Sequence, residues 1–433
     1  GVKIEAEKES IIPLVPDVND YGTYSVRVRT KSRGIVDGEE KVFEGEEKVF
    51  DFSIANKKTE NEKSNYMMRS QVHLDWGRNT EMLKMMAEMG MSGSREAALW
   101  DRNERTKGVY SENWTMEKHF RYAKEVGLDQ MLALGYGNTV YEGNQVMHMP
   151  TTPEGIAAYA KYAARLAEKY GDVMQYFEVW NEPNLINFNS NYASATQYAE
   201  LCKATYTEVK KANPNVKVGV WSTAQIPIGW IEETINAGIL DYCDVVTIHP
   251  YDWEDTGMDN RIKNALYVKR IKELRELLTK SGKPDVPIVI TELGVRAGKG
   301  FASQIGQAAY LTQLFAVSAG EKNIDSIYIY DFMNDAPDDS RRGEGYWGLI
   351  NHSAHTTPYS AKLSYVALAA YNKFVCDAEP VDNIVRNKTS VYRFKRNSDG
   401  KDVIILWSDN ESESLGLDLG TNAAPQTAHR FRL

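Results

Sequence analysis

Cysteine is scarce in this chain. Three residues in 433, Cys202, Cys243 and Cys376, lie far apart with no CxxC pair, which argues against a disulfide framework and a structural zinc site. Cys202 falls in a helical pattern and Cys243 just before a strand, so both read as small buried apolar groups. Positive charge is also short: the formal net charge is −9, and an acidic protein gains nothing from counterion release on nucleic acid. DNA and RNA are therefore not expected partners. No apolar run approaches the ~20 residues needed to cross a bilayer. The seven histidines show no ligand spacing, so neither a metal nor another cofactor is expected. No GxGxxG or P-loop follows any strand, which removes the open nucleotide-binding sheets. The first ten residues, GVKIEAEKES, do not read as a signal peptide. So abrupt a start suits a chain whose leader has been removed, and a secreted, periplasmic or cell-surface location is the expectation.

The remainder is ordinary for a globular protein, 42% hydrophobic and 26% charged, with mass enough for a large core. The length suits one α/β barrel of about 250 residues with a smaller module, acting as a monomer. Aromatics reach 11%, with 25 Tyr and 9 Trp, a supply that suits stacking on sugars and barrel packing alike.

Three segments follow from the patterning. Residues 1–62 read as β: Tyr24-Ser-Val-Arg-Val-Arg-Thr30 and Lys48-Val-Phe-Asp-Phe-Ser-Ile54 alternate at period two. Between them a near-duplication, EEKVFEGEEKVF, predicts a hairpin or a slipped edge. Residues 376–433 are similar, with Ser390–Phe394 and Val403–Trp407 flanking the turn Asn397-Ser-Asp-Gly400. The two ends are expected to join as a small accessory β-sandwich. Residues 63–375 alternate short apolar strands with amphipathic helices, the pattern of a parallel sheet. The strands are Met67–His73, Met91–Glu96, Gln130–Gly135, Met174–Trp180, Val216–Trp221, Val245–His249, Ile288–Glu292 and Ser326–Asp331. After the third, Thr152 caps a helix, Pro153 suits its first turn, and Ile156, Tyr159, Ala163, Leu166 and Tyr170 form one stripe. Gly171 is expected to end it in the left-handed region, as Gly90 and Gly127 end the two earlier helices. Eight such units predict a (β/α)₈ TIM barrel.

Catalytic groups in such a barrel project from the C-terminal ends of the strands. The second strand ends Ser94-Arg-Glu96 and the fourth Phe177-Glu-Val-Trp-Asn-Glu-Pro-Asn184. The sixth ends Val245-Val-Thr-Ile-His-Pro-Tyr251 and the seventh Ile288-Val-Ile-Thr-Glu-Leu-Gly294. A lone glutamate after a strand is more commonly a helix cap or an ion-pair partner. Two of them, Glu182 and Glu292, with Arg95, Asn181, His249 and Tyr251 at neighbouring ends, make a different case. Glycosidic cleavage needs two carboxyl groups flanking one bond, and strands four and seven can face one another across the barrel mouth. Trp76, Trp100, Tyr136, Trp221 and Trp253 offer flat faces for a chain of sugars, or pack beneath loops. His73, Asp331 and Asp335 sit at the ends of the first and eighth strands as substrate contacts or as structural groups.

WNEPN at 180–184 and ITELG at 290–294, with His249 and Tyr251 between them, resemble glycoside hydrolase clan A. LALGYGN at the third strand, then TTPEGIAAYAKYAARLAEKYG leading into YFEVWNEPN, look most like family 39 and its relatives. The likeness covers roughly residues 66–372. It implies a retaining enzyme, with Glu182 as acid/base and Glu292 as nucleophile. Asn181 would hold the sugar 2-hydroxyl in the −1 subsite, Arg95 and Tyr251 would support the nucleophile, and His249 would line the same subsite. Arg95 and the tyrosine hydroxyl would favour an ionised Glu292, and Glu182 beside that charge would keep its proton for the first step. The implied carboxyl separation is ~5–5.5 Å. One departure stands out: clan members commonly place a Trp at the end of the eighth strand, and here it reads Ile327-Tyr-Ile-Tyr-Asp-Phe332. Trp347 or Phe332 would then supply the sugar platform.

The expected activity is cleavage of a β-linked polysaccharide or oligosaccharide, endo-acting because no long insertion walls off the site. An exo-acting β-glycosidase and a non-catalytic carbohydrate-binding barrel are the alternatives. The intact set of Glu182, Glu292, Arg95, Asn181 and Tyr251 speaks for catalysis.

Overall fold

The computed structural model describes residues 17–73, 80–111, 114–251, 264–298, 300–337, 344–386 and 389–408. Its first strands are antiparallel, β1 (Gly22–Val28) pairing with β4 (Lys48–Ile54) and β2 (Lys31–Val36) with β3 (Glu39–Glu44). Asp37 and Gly38, both at positive φ (57° and 83°), make the two-residue turn that matches strand twist. The near-duplicate motif does not fold on itself. Its first copy is β3 and its second runs into β4, in separate two-stranded sheets.

The barrel follows in strict alternation: β5 (Asn65–Gln71), α1 (Glu81–Glu88), β6 (Met91–Leu99), α2 (Trp100–Asn103), α3 (Trp114–Glu125), β7 (Asp129–Gly135), α4 (Pro153–Tyr170), β8 (Met174–Val179), α5 (Ala195–Ala212), β9 (Lys217–Ala224), α6 (Ile228–Asn236), β10 (Val245–His249), α7 (Asn264–Lys280), β11 (Ile288–Leu293), α8 (Gln304–Glu321), β12 (Ser326–Ile329) and α9 (Leu363–Val375). The eight strands are parallel and close, β12 pairing with β5. These are the eight strands the sequence predicts, with no end shifted by more than three residues.

Period-two alternation sends one face of each strand outward to the helices and the other into the barrel. Met131, Tyr176, Val245, Val289 and Tyr328 form a separate buried cluster drawn from five strands. Beside Tyr328 lies the buried guanidinium of Arg69, and a Cβ on Gly93 would come within 2.8 Å of its Nη1, so only glycine fits there. Glu178, two residues beyond Tyr176, faces the same interior closer to the strands' C-terminal ends.

Helix α4 begins as expected: Thr152 accepts from the Gly155 amide at 3.1 Å and Pro153 opens the first turn. Its end differs. Gly171 has φ −64°, not the left-handed region. Glycine is needed there for space, because a Cβ would lie 2.1 Å from Asn213 Nδ2 and 2.4 Å from the Ala167 carbonyl. Gly90 and Gly127 do lie in the left-handed region, at φ 90° and 81°.

After α9 the chain forms a three-stranded antiparallel sheet, β13 (Ala378–Arg386), β14 (Thr389–Arg396) and β15 (Asp402–Ser408). The two end segments form separate sheets, and among the described residues no strand of one end pairs with a strand of the other, so the expected single sandwich is not seen in the pairing. Ser53 Oγ donates to the Ala361 carbonyl at 2.6 Å just before α9, and Lys63 reaches Asp377 at 3.0 Å.

Candidate active site

Four strands carry the polar groups that meet at the barrel mouth. Arg95 stands on the inward face of β6, and Asn181 and Glu182 follow β8. His249 ends β10 with Tyr251 two residues on, and Glu292 lies near the end of β11. Beyond β8 the chain turns abruptly, with Trp180 at φ 69° and Glu182 at φ 46°. Such a conformation costs about 1–3 kcal/mol per non-glycine residue and persists only where its surroundings hold it. Here the Trp180 ring is fully buried with Nε1 donating to the Phe188 carbonyl at 2.7 Å, and the Glu182 amide donates to the Ser222 carbonyl at 2.8 Å.

Arg95 organises the floor. Its Nε and Nη2 lie 2.9 and 2.7 Å from Glu178 Oε2, and Nη1 donates to Gln71 Oε1 at 2.6 Å. Nη2 also donates to Asn181 Oδ1 at 2.8 Å, and Nη1 to Glu292 Oε2 at 3.4 Å. Burial opposes its charge, but Glu178 and Glu292 outweigh burial, and the guanidinium stays protonated throughout. The Tyr251 hydroxyl donates to Glu292 Oε1 at 3.2 Å.

His249 bridges the two glutamates. Its Nδ1 is 3.0 Å from Glu182 Oε1 and 3.9 Å from Glu292 Oε2. Its Nε2 faces the hydroxyls of Ser222 and Thr291 at 3.2 and 3.1 Å. A hydroxyl either donates or accepts, so these contacts suit either tautomer of the imidazole. An oxygen of Glu182 and one of Glu292 lie within 4.8 Å of each other.

The electrostatics correct one expectation. Arg95 and Tyr251 do face Glu292, yet burial outweighs them and, with Glu182 adding to it, raises the Glu292 carboxyl above the usual range. A like charge this close disfavours ionisation, so Glu182 works in the same direction as burial on Glu292.

The aromatic residues divide. Half-buried Tyr136 sets its edge to Trp180 (5.4 Å between centroids) and stacks on Phe188 (6.0 Å). Burial and the charges of Glu292 and Glu182 push its phenol up, which places it beside the carboxylates. Trp347 packs edge-on against Tyr251 (5.8 Å), the tyrosine that donates to Glu292, and against Tyr330 (5.5 Å). Phe332 is fully buried against Tyr365 and offers no platform. Trp100 is not a sugar subsite either. Its ring is fully buried, stacked on Tyr141 (5.2 Å) and Tyr162 (6.0 Å), with Nε1 donating to Glu104 at 2.7 Å. Trp221 is likewise a core residue, bonded to Thr234. Trp76 and Trp253 lie outside the described residues.

Among the described residues, two trios have ligand atoms close enough for a cation: Glu182–His249–Glu292, and His73–Asp331–Asp335. The first is the glutamate pair with its bridging histidine. In the second, Asp331 is close enough to Lys362 to oppose the loss of its charge on burial. Residues missed by reading strand ends alone are Glu178, Gln71, Ser222 and Thr291. Glu178 had a signal: it is the one charged residue in the six of β8, MQYFEV, and a charge mid-strand needs a buried partner.

The profile described as Glycosyl hydrolases family 39 matches residues 119–340. This chain belongs to glycoside hydrolase family 39. The matched stretch of this family 39 protein contains Asn181, Glu182, His249, Tyr251 and Glu292, while Arg95 and Trp347 lie outside it. The protein is 27% identical to a β-xylosidase of Geobacillus stearothermophilus over 180 residues, which span 36% of this chain and a third (33%) of that enzyme. Its fold resembles that of a family 39 glycoside hydrolase from the gut symbiont Bacteroides cellulosilyticus (TM-score 0.75, 22% identity, 91% of this chain and 79% of that one). It also resembles that of a monomeric β-xylosidase from Caulobacter crescentus (TM-score 0.57, 18% identity, 80% and 76%).

Proposed function

We propose that the protein hydrolyses β-glycosidic bonds by double displacement with net retention. The observation that carries this reading is the Glu182–Glu292 approach within 4.8 Å. An inverting pair stands ~6.5–9.5 Å apart to admit a water between them, whereas a retaining pair needs only ~5–5.5 Å. In the first step a Glu292 oxygen bonds to the anomeric carbon as the glycosidic bond breaks, and the proton on Glu182 passes to the departing oxygen. In the second, Glu182 takes a proton from water, whose oxygen displaces Glu292 and frees the sugar. Asn181, held by Arg95, is placed for the 2-hydroxyl contact that strengthens in the transition state.

For the substrate, the reading is a terminal β-linked sugar, β-xylosides first. The relatives named β-xylosidases support it. So does the buried polar group of His73, Asp331 and Asp335, tied to Trp347 through Tyr330, which suits recognition of the last sugar of a chain. This favours exo over the endo action expected from the sequence. The test is release of product from aryl β-glycosides, short oligosaccharides and polymers, with the product anomer followed by NMR. Monosaccharide of retained configuration from the chain end is the expected result. Initial release of the inverted anomer would overturn retention, longer products would restore endo action, and binding without cleavage would make the barrel a lectin.

A further inference from the structure

The mechanism above gives the buried charge of Glu178 no task. Glu178 is fully buried, and its Oε2 receives both Nε and Nη2 of Arg95 at 2.9 and 2.7 Å. The other face of the same guanidinium serves Asn181 and Glu292. Glu178 therefore grips the side of Arg95 that substrate never reaches. Burial works against the charge of Glu178, but Arg95 first, then the His249 ring and the hydroxyls of Thr291 and Thr247, outweigh it and hold its carboxyl below the usual range.

The reaction itself gives this arrangement a purpose. When Glu292 bonds to the sugar it becomes a neutral ester and its negative charge disappears. A guanidinium 2% exposed cannot recover that countercharge from water, and an unpaired buried charge costs several kcal/mol. Glu178 is the anion that remains beside Arg95 in both states.

We propose that Glu178 is a positioning residue of the reaction: it fixes the Arg95 fork toward Asn181 and Glu292 and remains its counterion while Glu292 is esterified. The inference rests on Glu292 being the nucleophile. Without Glu178, Arg95 would favour the free Glu292 carboxylate over the ester. Forming the ester should become slower and its breakdown faster, a split that a general packing defect does not produce.

The experiment uses the full chain and a 2-deoxy-2-fluoro-β-glycosyl fluoride of the sugar the wild type releases. Inactivation reports ester formation, and recovery of activity after its removal reports ester breakdown. In Glu178→Gln, inactivation should slow by about 10²-fold through the misplaced fork, while reactivation should quicken. In an Arg95→Met background, where no cation is left for Glu178 to serve, Glu178→Gln should change either rate by no more than about twofold. This second comparison also stands if the single variant folds poorly. Slowing of both rates together, or an undiminished effect without Arg95, would overturn the proposal. Mass spectrometry of the inactivated wild type separates the two levels: a label on any residue other than Glu292 sinks the nucleophile assignment itself.

Discussion

Glu182 and Glu292 arrive from strands three apart in the barrel, and an oxygen of one lies within 4.8 Å of an oxygen of the other. One imidazole touches both. This pairing is not a property of either motif, and it sets the first test. Glu292→Gln should lose roughly 10⁴-fold or more in kcat while still binding substrate. Glu182→Ala should lose about 10²–10⁴-fold on substrates with poor leaving groups, far less in the first step on aryl glycosides. Azide should restore turnover in the Glu182 variant alone, giving a glycosyl azide of retained configuration. Equal losses that azide does not relieve in either variant would refute the division of roles.

The raised Glu292 carboxyl makes a prediction about pH. Burial and Glu182 push it up, and His249, Arg95 and the Tyr251 hydroxyl hold it down. The nucleophile must be ionised, so its titration forms the acidic limb of kcat/KM. Tyr251→Phe removes a donor to the charged form, so Glu292 should titrate higher still and the limb should move to higher pH. A pH–rate profile of the two proteins on one aryl glycoside decides it, and an unmoved or lowered limb would deny Tyr251 this part.

Trp100 and Trp347 are both strand-end or loop tryptophans, but only Trp347 lies against the site. Trp100→Ala should cost about 3–5 kcal/mol of stability, as expected for a buried aromatic, and leave KM unchanged below its melting temperature. Trp347→Ala should raise KM and lower kcat with a smaller loss of stability. Thermal denaturation with Michaelis kinetics on each variant would show the reverse pattern if the assignments were exchanged.

Lys362 is buried at the start of α9, with Nζ 3.4 Å from Asn334 Oδ1 and 3.3 Å from the Tyr346 carbonyl. Burial lowers its ammonium to about 7, with Asp331 opposing. The unfolded chain therefore binds more protons here between pH 7 and the usual lysine range, and the folded state gains stability as pH rises through that window. Both acceptors keep a second donor, the amides of Gly348 and Ala297 at 2.9 Å. Lys362→Met should thus raise the melting temperature most at pH 6, by roughly 2–4 °C, with the difference shrinking toward pH 9. A difference that grows with pH would contradict the burial argument.

Much of this was legible in the chain. Each barrel strand is a short apolar run at period two or fully apolar, and the longer helices carry a 3.6-residue stripe, three of them capped by Thr152, Ser194 and Ser303, so the eight units read directly. Glu182, Glu292, Arg95, His249 and Tyr251 stand at strand ends, where barrel geometry sends catalytic groups. The failures share one cause. Trp100 looked available because strand-end position does not say which way a ring turns, and Tyr141, Tyr162 and Glu104 close over it. Gly171 looked like a left-handed cap because sequence does not show the approach of Asn213. Glu292 looked readily ionised because its helpers, Arg95 and Tyr251, could be named, while the depth of its burial could not.

The sequence by itself determined the number and order of the strands, the ends on which polar groups gather, and the pair of glutamates. Only the tertiary structure decided that Glu178 lies beneath Arg95, that His249 spans both carboxyls, and that burial outweighs the cations around Glu292. The physical reason is that periodicity records which face a residue occupies, whereas distances across a barrel depend on strand register and closure. Those are set by all eight strands together.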